Sequence, residues 1–159
     1  MNYGEVMNKD KVDFGDMPPQ AFLLGLLSAF DNRYQSAADT FFKEITWKQY
    51  FAIICINLCK EAPTINELSE VMGSSHQNVK QILLRLEKKG FISTVIDEKD
   101  KRKQRIVVTD AARAFVEEND NNGQQSGYII GQIFDGINEK ELMTTIQTIM
   151  KMERNLEKI

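Results

Sequence analysis

The chain has 159 residues, of which 42% are hydrophobic, and its formal net charge is −3. This length suffices for one domain with a buried core and is short for two, so we expect a single domain over 1–159. We find neither an apolar run of about 18 residues nor a basic-then-apolar secretory leader. These observations argue against a membrane segment and predict a soluble, cytoplasmic protein.

The first part of the chain predicts two helices. Apolar residues recur at steps of three and four from Phe22 to Phe41, the pattern of a long amphipathic helix. A second helix is expected from Thr46 to about Cys59, apolar on nearly all sides and therefore central in the core. On this helix the Cβ atoms of Cys55 and Cys59 would lie roughly 5–6 Å apart. That separation is too large for an unstrained disulfide, so we predict reduced, buried thiols.

Helix-capping signals become dense after residue 63. Thr64 followed by Glu67 fits a capping box before a short helix that Gly73 ends. Ser75 then caps a second helix, which Gly90 ends. A short helix, a tight turn and a second helix form the layout of a helix-turn-helix.

Two β-favouring runs, at 91–96 and 106–108, flank a charged segment and predict a hairpin with a charged tip. Nine basic and four acidic residues between 76 and 105 give that stretch a charge of +5 and leave −8 on the rest. This asymmetry indicates a patch that faces a polyanion on a body that would otherwise repel one.

The last part of the chain predicts further helices. Thr109 can cap one of them, and the segment 119–127 is poor in helix formers and marks a break. Asn138 with Glu141 fits a capping box, and an apolar seam then continues at three- and four-residue steps to Ile159.

The stretches TINELSEVMGSSHQNVKQILLRLEKKGFI and DEKDKRKQRIVVTDAARAF together resemble the MarR family, the winged helix-turn-helix dimers that repress bacterial genes. ITWKQYFAI is similar to the family's second helix, and FDGINEKELMTTIQTIMKMERNL to its terminal dimerisation segment. The resemblance runs from about Asp16 to Ile159. Its most specific part is LEKKGFI, then Asp100 and Arg102 as D-x-R, then VVTDAAR. Ala112 replaces the glycine of many members, which affects only local geometry because alanine favours the helix.

The resemblance implies a mainly α fold with a small β-hairpin wing. It places a winged helix-turn-helix DNA-binding lobe at 45–118 and dimerisation helices at 16–44 and 128–159. It also implies a homodimer on a pseudo-palindromic double-stranded DNA operator, since a two-fold dimer sets two recognition helices about 34–36 Å apart. The apolar seams of the first and last helices fit burial against a second copy.

The predicted DNA contacts fall on the second helix of the motif and on the wing. Amide side chains pair bidentately with adenine, so we predict base contact by at least one of Gln77, Asn78 or Gln81. Asp100 is placed to orient the guanidinium of Arg102 for a narrow minor groove, the role of this arginine in the resembled family. The remaining predicted DNA-binding residues are Ser75, His76, Lys80, Arg85, Lys99, Lys101 and Lys103, and Arg105 is expected to add a phosphate contact. The alternative is that the polar face of this helix and the tip of the hairpin are merely solvated and do not contact DNA.

The resemblance further implies a small aromatic or lipophilic effector. Its candidate pocket residues are Phe30, Tyr34, Trp47, Tyr50, Phe51 and Phe115, although aromatic residues at helical spacing are more often plain core. Oxidation sensing is less favoured, because it needs an exposed thiol of low pKa.

A protein-interaction module whose basic face docks an acidic partner is the alternative function. DNA is favoured because the basic residues lie on both the recognition helix and the wing, which one duplex can meet. The sequence does not support an enzyme, a metal site or a cofactor, since it has a single histidine, no paired nucleophile and base, and no phosphate-binding loop.

Overall fold

The computed structural model describes residues 15–40, 42, 44–121 and 130–159, without the side chains of 119–121. The helices are α1 (Pro19–Ala38), α2 (Trp47–Leu58), α3 (Ile65–Val71), α4 (His76–Lys88), α5 (Asp110–Asn121) and α6 (Glu139–Leu156), and the strands are β1 (Ile92–Ile96) and β2 (Gln104–Val108). The chain divides into two compact units, the first ending at Ala112 and the second starting at Arg113. Most of the break predicted at 119–127 lies outside the described residues.

Helices α3, α4 and α6 begin where the capping signals predict them. Complete capping boxes are present at Thr46, Thr64 and Asn138. The Ser75 hydroxyl accepts a hydrogen bond from the Asn78 amide at 3.3 Å and caps α4. Each cap satisfies a backbone N–H that the first turn of a helix would otherwise leave unpaired.

The core of the first unit lies among α2, α3, α4 and the hairpin. Its fully buried members include Ile53 of α2, Leu68 of α3, and Val79 and Leu86 of α4. Since these apolar side chains come from all three helices, their burial holds the helix-turn-helix against α2. The turn between α3 and α4 contains Gly73 at φ +57°, a conformation that suits glycine.

The hairpin is antiparallel and pairs Ile92 with Val108 and Ile96 with Gln104. Hydrogen bonds attach it to the helix-turn-helix. The Ile106 amide donates to the Pro63 carbonyl at 2.8 Å, and the Thr109 hydroxyl donates to the Gly90 carbonyl at 2.7 Å. The wing therefore follows α4 directly and lies against the loop before α3.

In the second unit, α6 exposes its apolar side chains. None of its residues is buried. Met143, Ile146, Met150 and Leu156 are all exposed. In the first unit, α1 likewise exposes Leu24 and Phe30.

The expected fold class, mainly α with a small β-hairpin wing, is confirmed. Both thiols are free, and the Cys59 thiol donates to the Cys55 carbonyl at 3.2 Å. Burial, and to a smaller extent the neighbouring Cys59, raises the pKa of Cys55. Within the described ranges, no helix is long and apolar enough to span a membrane.

Candidate nucleic-acid interface

Helix α4 has one buried and one solvated face. Its buried face consists of Val79, Ile82, Leu83 and Leu86. Its exposed face carries the predicted contacts His76, Gln77, Asn78, Lys80, Gln81 and Arg85, and the capping Ser75 is exposed as well. The Asn78 side chain donates to the Ser74 hydroxyl at 2.8 Å. The helix thus presents amide and cationic groups to solvent over its first two turns.

A compact turn orders the wing tip. Asp97 Oδ1 accepts hydrogen bonds from the amides of Lys99 and Asp100, at 2.8 and 2.7 Å. The Asp97 amide donates to the Lys103 carbonyl, and the Lys103 amide donates to the Asp100 carbonyl. A carboxylate that binds its own following backbone in this way stabilises the turn. The side chains of Lys99, Lys101 and Lys103 remain exposed on it.

Asp100 and Arg102 form the predicted ion pair. Arg102 Nε donates to Asp100 Oδ1 at 3.1 Å, Nη2 approaches Oδ2 at 3.4 Å, and the Arg102 amide donates to Oδ1. These bonds, chiefly that from the Arg102 side chain, lower the pKa of Asp100. The Arg102 side chain is nevertheless 91% exposed. Its guanidinium is oriented by the protein and still open to a ligand.

Arg105 differs from the other wing cations. Its Nε donates to Asp97 Oδ2 at 2.6 Å, and its Nη1 donates to Glu67 Oε2 at 2.9 Å and to the Ala62 carbonyl at 3.0 Å. Its side chain is 20% exposed and that of Asp97 is 11% exposed. The expected phosphate contact therefore falls on a residue whose Nε and Nη1 donors already have partners in the protein.

The Asp97 pKa predicts how stability depends on pH. The hydrogen bond from Arg105, followed by that from the Asp100 amide, lowers the pKa of Asp97 from 3.8 to about 2. Because folding favours the ionised form, its contribution to stability is present above about pH 4 and is lost as pH falls through about 2. We expect Asp97→Asn to be less stable than the parent above pH 4, with the difference shrinking toward pH 2. Urea unfolding followed by circular dichroism at each pH measures this difference in the free energy of unfolding.

The exposed neighbour Glu98 supplies the control for this experiment. Glu98→Gln removes the same charge beside the turn without touching Arg105, and should not reproduce the pH dependence. A stability difference for Asp97→Asn that stayed constant or grew between pH 4 and pH 2 would contradict the assignment.

A cavity of about 360 Å³ lies within the first unit. Tyr34, Trp47 and Phe51, three of the predicted pocket residues, line it. Tyr34 meets Trp47 edge to face with ring centroids 4.8 Å apart, and Trp47 stacks on Phe51 at 6.0 Å. Burial raises the pKa of Tyr34.

The rest of the cavity wall differs from the predicted set. Phe30 and Tyr50 are not part of the lining, and Phe115 belongs to the second unit. The aromatic spacing in the sequence did not indicate the polar lining residues, which are Asp31, Gln35, Lys48, Ser74 and Asn78. Their positions on separate helices and a turn gave no local signal. No group of three or more metal-ligating side chains occurs in the part of the chain that the structure describes.

Known proteins are similar to this chain in sequence and in fold. Residues 45–103 match the model of the MarR family. A MarR protein from Peptoclostridium difficile DA00132 superposes with a TM-score of 0.76 at 19% identity, over 93% of this chain and 95% of that one.

Two further solved structures are similar to this chain. The S. aureus MepR–DNA complex gives a TM-score of 0.72 at 17% identity, over 89% of this chain and 99% of that one. The second is Bordetella bronchiseptica BpsR, whose DNA binding is regulated by 6-hydroxynicotinic acid. It gives a TM-score of 0.71 at 20% identity, over 87% of this chain and 98% of that one.

Proposed function

We propose that this chain is a winged helix-turn-helix transcriptional regulator of the MarR family, whose model matches residues 45–103, and that it is a repressor that binds a pseudo-palindromic operator as a homodimer. The observation that carries this proposal is the pair of exposed groups in the first unit, the amide face of α4 and the oriented guanidinium of Arg102. Because the proposed partner is a double-stranded DNA operator, we place the protein in the cytoplasm.

The two groups suit different parts of a duplex. The major groove admits a helix and displays the adenine edge that Gln77, Asn78 or Gln81 can pair with. A narrow minor groove attracts an inserted arginine through its negative potential, and narrow grooves occur in A·T-rich DNA. The lysines of the wing tip, together with Lys80, would neutralise phosphates without choosing a sequence. We therefore expect an operator with A·T-rich flanks.

The proposed dimer rests on the uncovered apolar faces of α1 and α6. A second copy would bury both, and apolar burial is the main driving force of such association. We expect Ile146→Glu to weaken the dimer by about 2 kcal/mol or more, because it places an unpaired charge in the buried interface. Analytical ultracentrifugation should then show the 18.3 kDa monomer where the parent chain is a dimer.

Gln147→Glu is the matched control, since it adds the same charge one position away on the same exposed helix. It should leave the dimer intact. A parent chain that sedimented only as a monomer at micromolar concentration would refute the dimer directly.

The cavity in the first unit supports a small aromatic or lipophilic effector as part of this proposal. Its aromatic wall suits a planar apolar ligand, and the DNA binding of the similar protein Bordetella bronchiseptica BpsR is regulated by 6-hydroxynicotinic acid. Asn78 belongs both to the cavity wall and to the exposed first turns of α4. A ligand there would touch a residue proposed to contact DNA.

The decisive experiment selects bound duplexes from a random pool and then measures affinity for the selected site over a salt series. We expect a two-fold symmetric consensus, and affinity that falls steeply as salt rises because bound phosphates release counterions. If the selection enriched no sequence, the proposal of a specific operator would be refuted. Weak, sequence-independent binding alone would favour the alternative, a basic face that docks an acidic protein.

A further inference from the structure

Arg105 joins three separate parts of the first unit. Asp97 opens the wing-tip turn, Glu67 lies in the first turn of α3, and Ala62 belongs to the loop before that helix. All three contacts are 3.0 Å or shorter. A single guanidinium therefore ties the wing to the start of the helix-turn-helix.

Both carboxylates that Arg105 binds have a second structural task. Asp97 uses its other oxygen to hold the amides of Lys99 and Asp100 in the wing-tip turn. Glu67 accepts the Thr64 amide at 2.7 Å in the capping box of α3. The orientation of the tip and the start of α3 are thus coupled through one side chain.

The energetics favour this role over a phosphate contact. An exposed ion pair contributes little to stability, but Arg105 and Asp97 are mostly shielded from water and share a network with short bonds. Turning Nε away from Asp97 toward a phosphate would leave that carboxylate, 11% exposed, without its cation. The exposed neighbour Lys103 can reach solvent without such a cost.

We propose that Arg105 is a positioning residue, which fixes the wing relative to α3 and α4 so that Arg102 reaches the minor groove, and that it does not itself contact DNA. This inference rests on the proposed function. It assigns to Arg105 a part in groove recognition that acts chiefly through Arg102.

The test is a double-mutant cycle on the selected duplex, with affinity measured over a salt series. Arg105→Gln should weaken binding about tenfold while leaving the slope of log affinity against log salt unchanged. In an Arg102→Ala background the same substitution should change affinity less than about twofold, because the group that it positions is gone. The control Lys103→Gln should lower the slope by about 0.9, as loss of one phosphate contact does.

Two results would overturn the inference and leave the proposed function standing. A slope that falls by about 0.9 in Arg105→Gln would make Arg105 a phosphate contact. A penalty that persists in the Arg102→Ala background would show that Arg105 acts elsewhere. If Arg105→Gln does not fold, Glu67→Gln replaces it, since Gln keeps the capping oxygen but removes the charge, and a weaker effect of the same pattern is expected. Failure of the parent chain to bind any duplex would refute the proposed function itself, and the inference with it.

Discussion

Replacement of Leu86 by alanine is expected to lower the free energy of unfolding by about 2–5 kcal/mol, a large share of the stability of a chain of this size. Leu86 is fully buried in the core of the first unit. Its loss removes apolar contacts and leaves a cavity that the neighbouring helices fill only in part. Urea unfolding followed by circular dichroism gives the difference.

Leu84 provides the control on the same helix. It is 49% exposed, so Leu84→Ala is expected to change stability by no more than about 0.5 kcal/mol. Equal losses from the two substitutions would contradict the assignment of the core face of α4, and with it the placement of the amide face toward solvent.

Arg102→Ala should weaken binding to the selected duplex by about 1–3 kcal/mol, roughly 5- to 150-fold. Asp100 already orients the exposed Arg102 guanidinium, so this group loses little conformational freedom when it enters a groove. Its removal therefore eliminates a preorganised contact with DNA. The preference for A·T pairs beneath the wing should fall as well. Fluorescence anisotropy with matched A·T and G·C flanks measures both effects.

Lys101→Ala is the matched control on the same turn. Its side chain is exposed, and we expect it to weaken binding to both duplexes equally and to lower the salt slope by about 0.9. If Arg102→Ala also affected both flanks equally, Arg102 would be one phosphate contact among several and not a reader of groove width.

The elements of this chain could be predicted from its sequence because their signals are local. Thr64 and Glu67, or Asn138 and Glu141, are three residues apart, and each capping box is present as expected. The ion pair between Asp100 and Arg102 could be predicted for the same reason, since only one residue separates them.

Arg105 and the cavity show where local reasoning fails. Glu67 is 38 positions from Arg105, and no periodicity indicates that they meet. Charge alone assigned Arg105 to the DNA-facing set with its neighbours. Likewise, the aromatic spacing identified Tyr34, Trp47 and Phe51 but not Asp31 or Asn78, because their approach depends on how α1 and α4 pack against α2.

The bonding of Arg105 also limits how this protein can be re-engineered. A chimera that took only the hairpin 92–108 from another regulator would separate Glu67 from its cation unless the donor happened to supply an equivalent arginine. Exchange of 62–108 as one block would carry all three partners of that guanidinium together. The DNA-sequence specificity of the donor should therefore be retained when 62–108 is exchanged and be reduced when only 92–108 is exchanged.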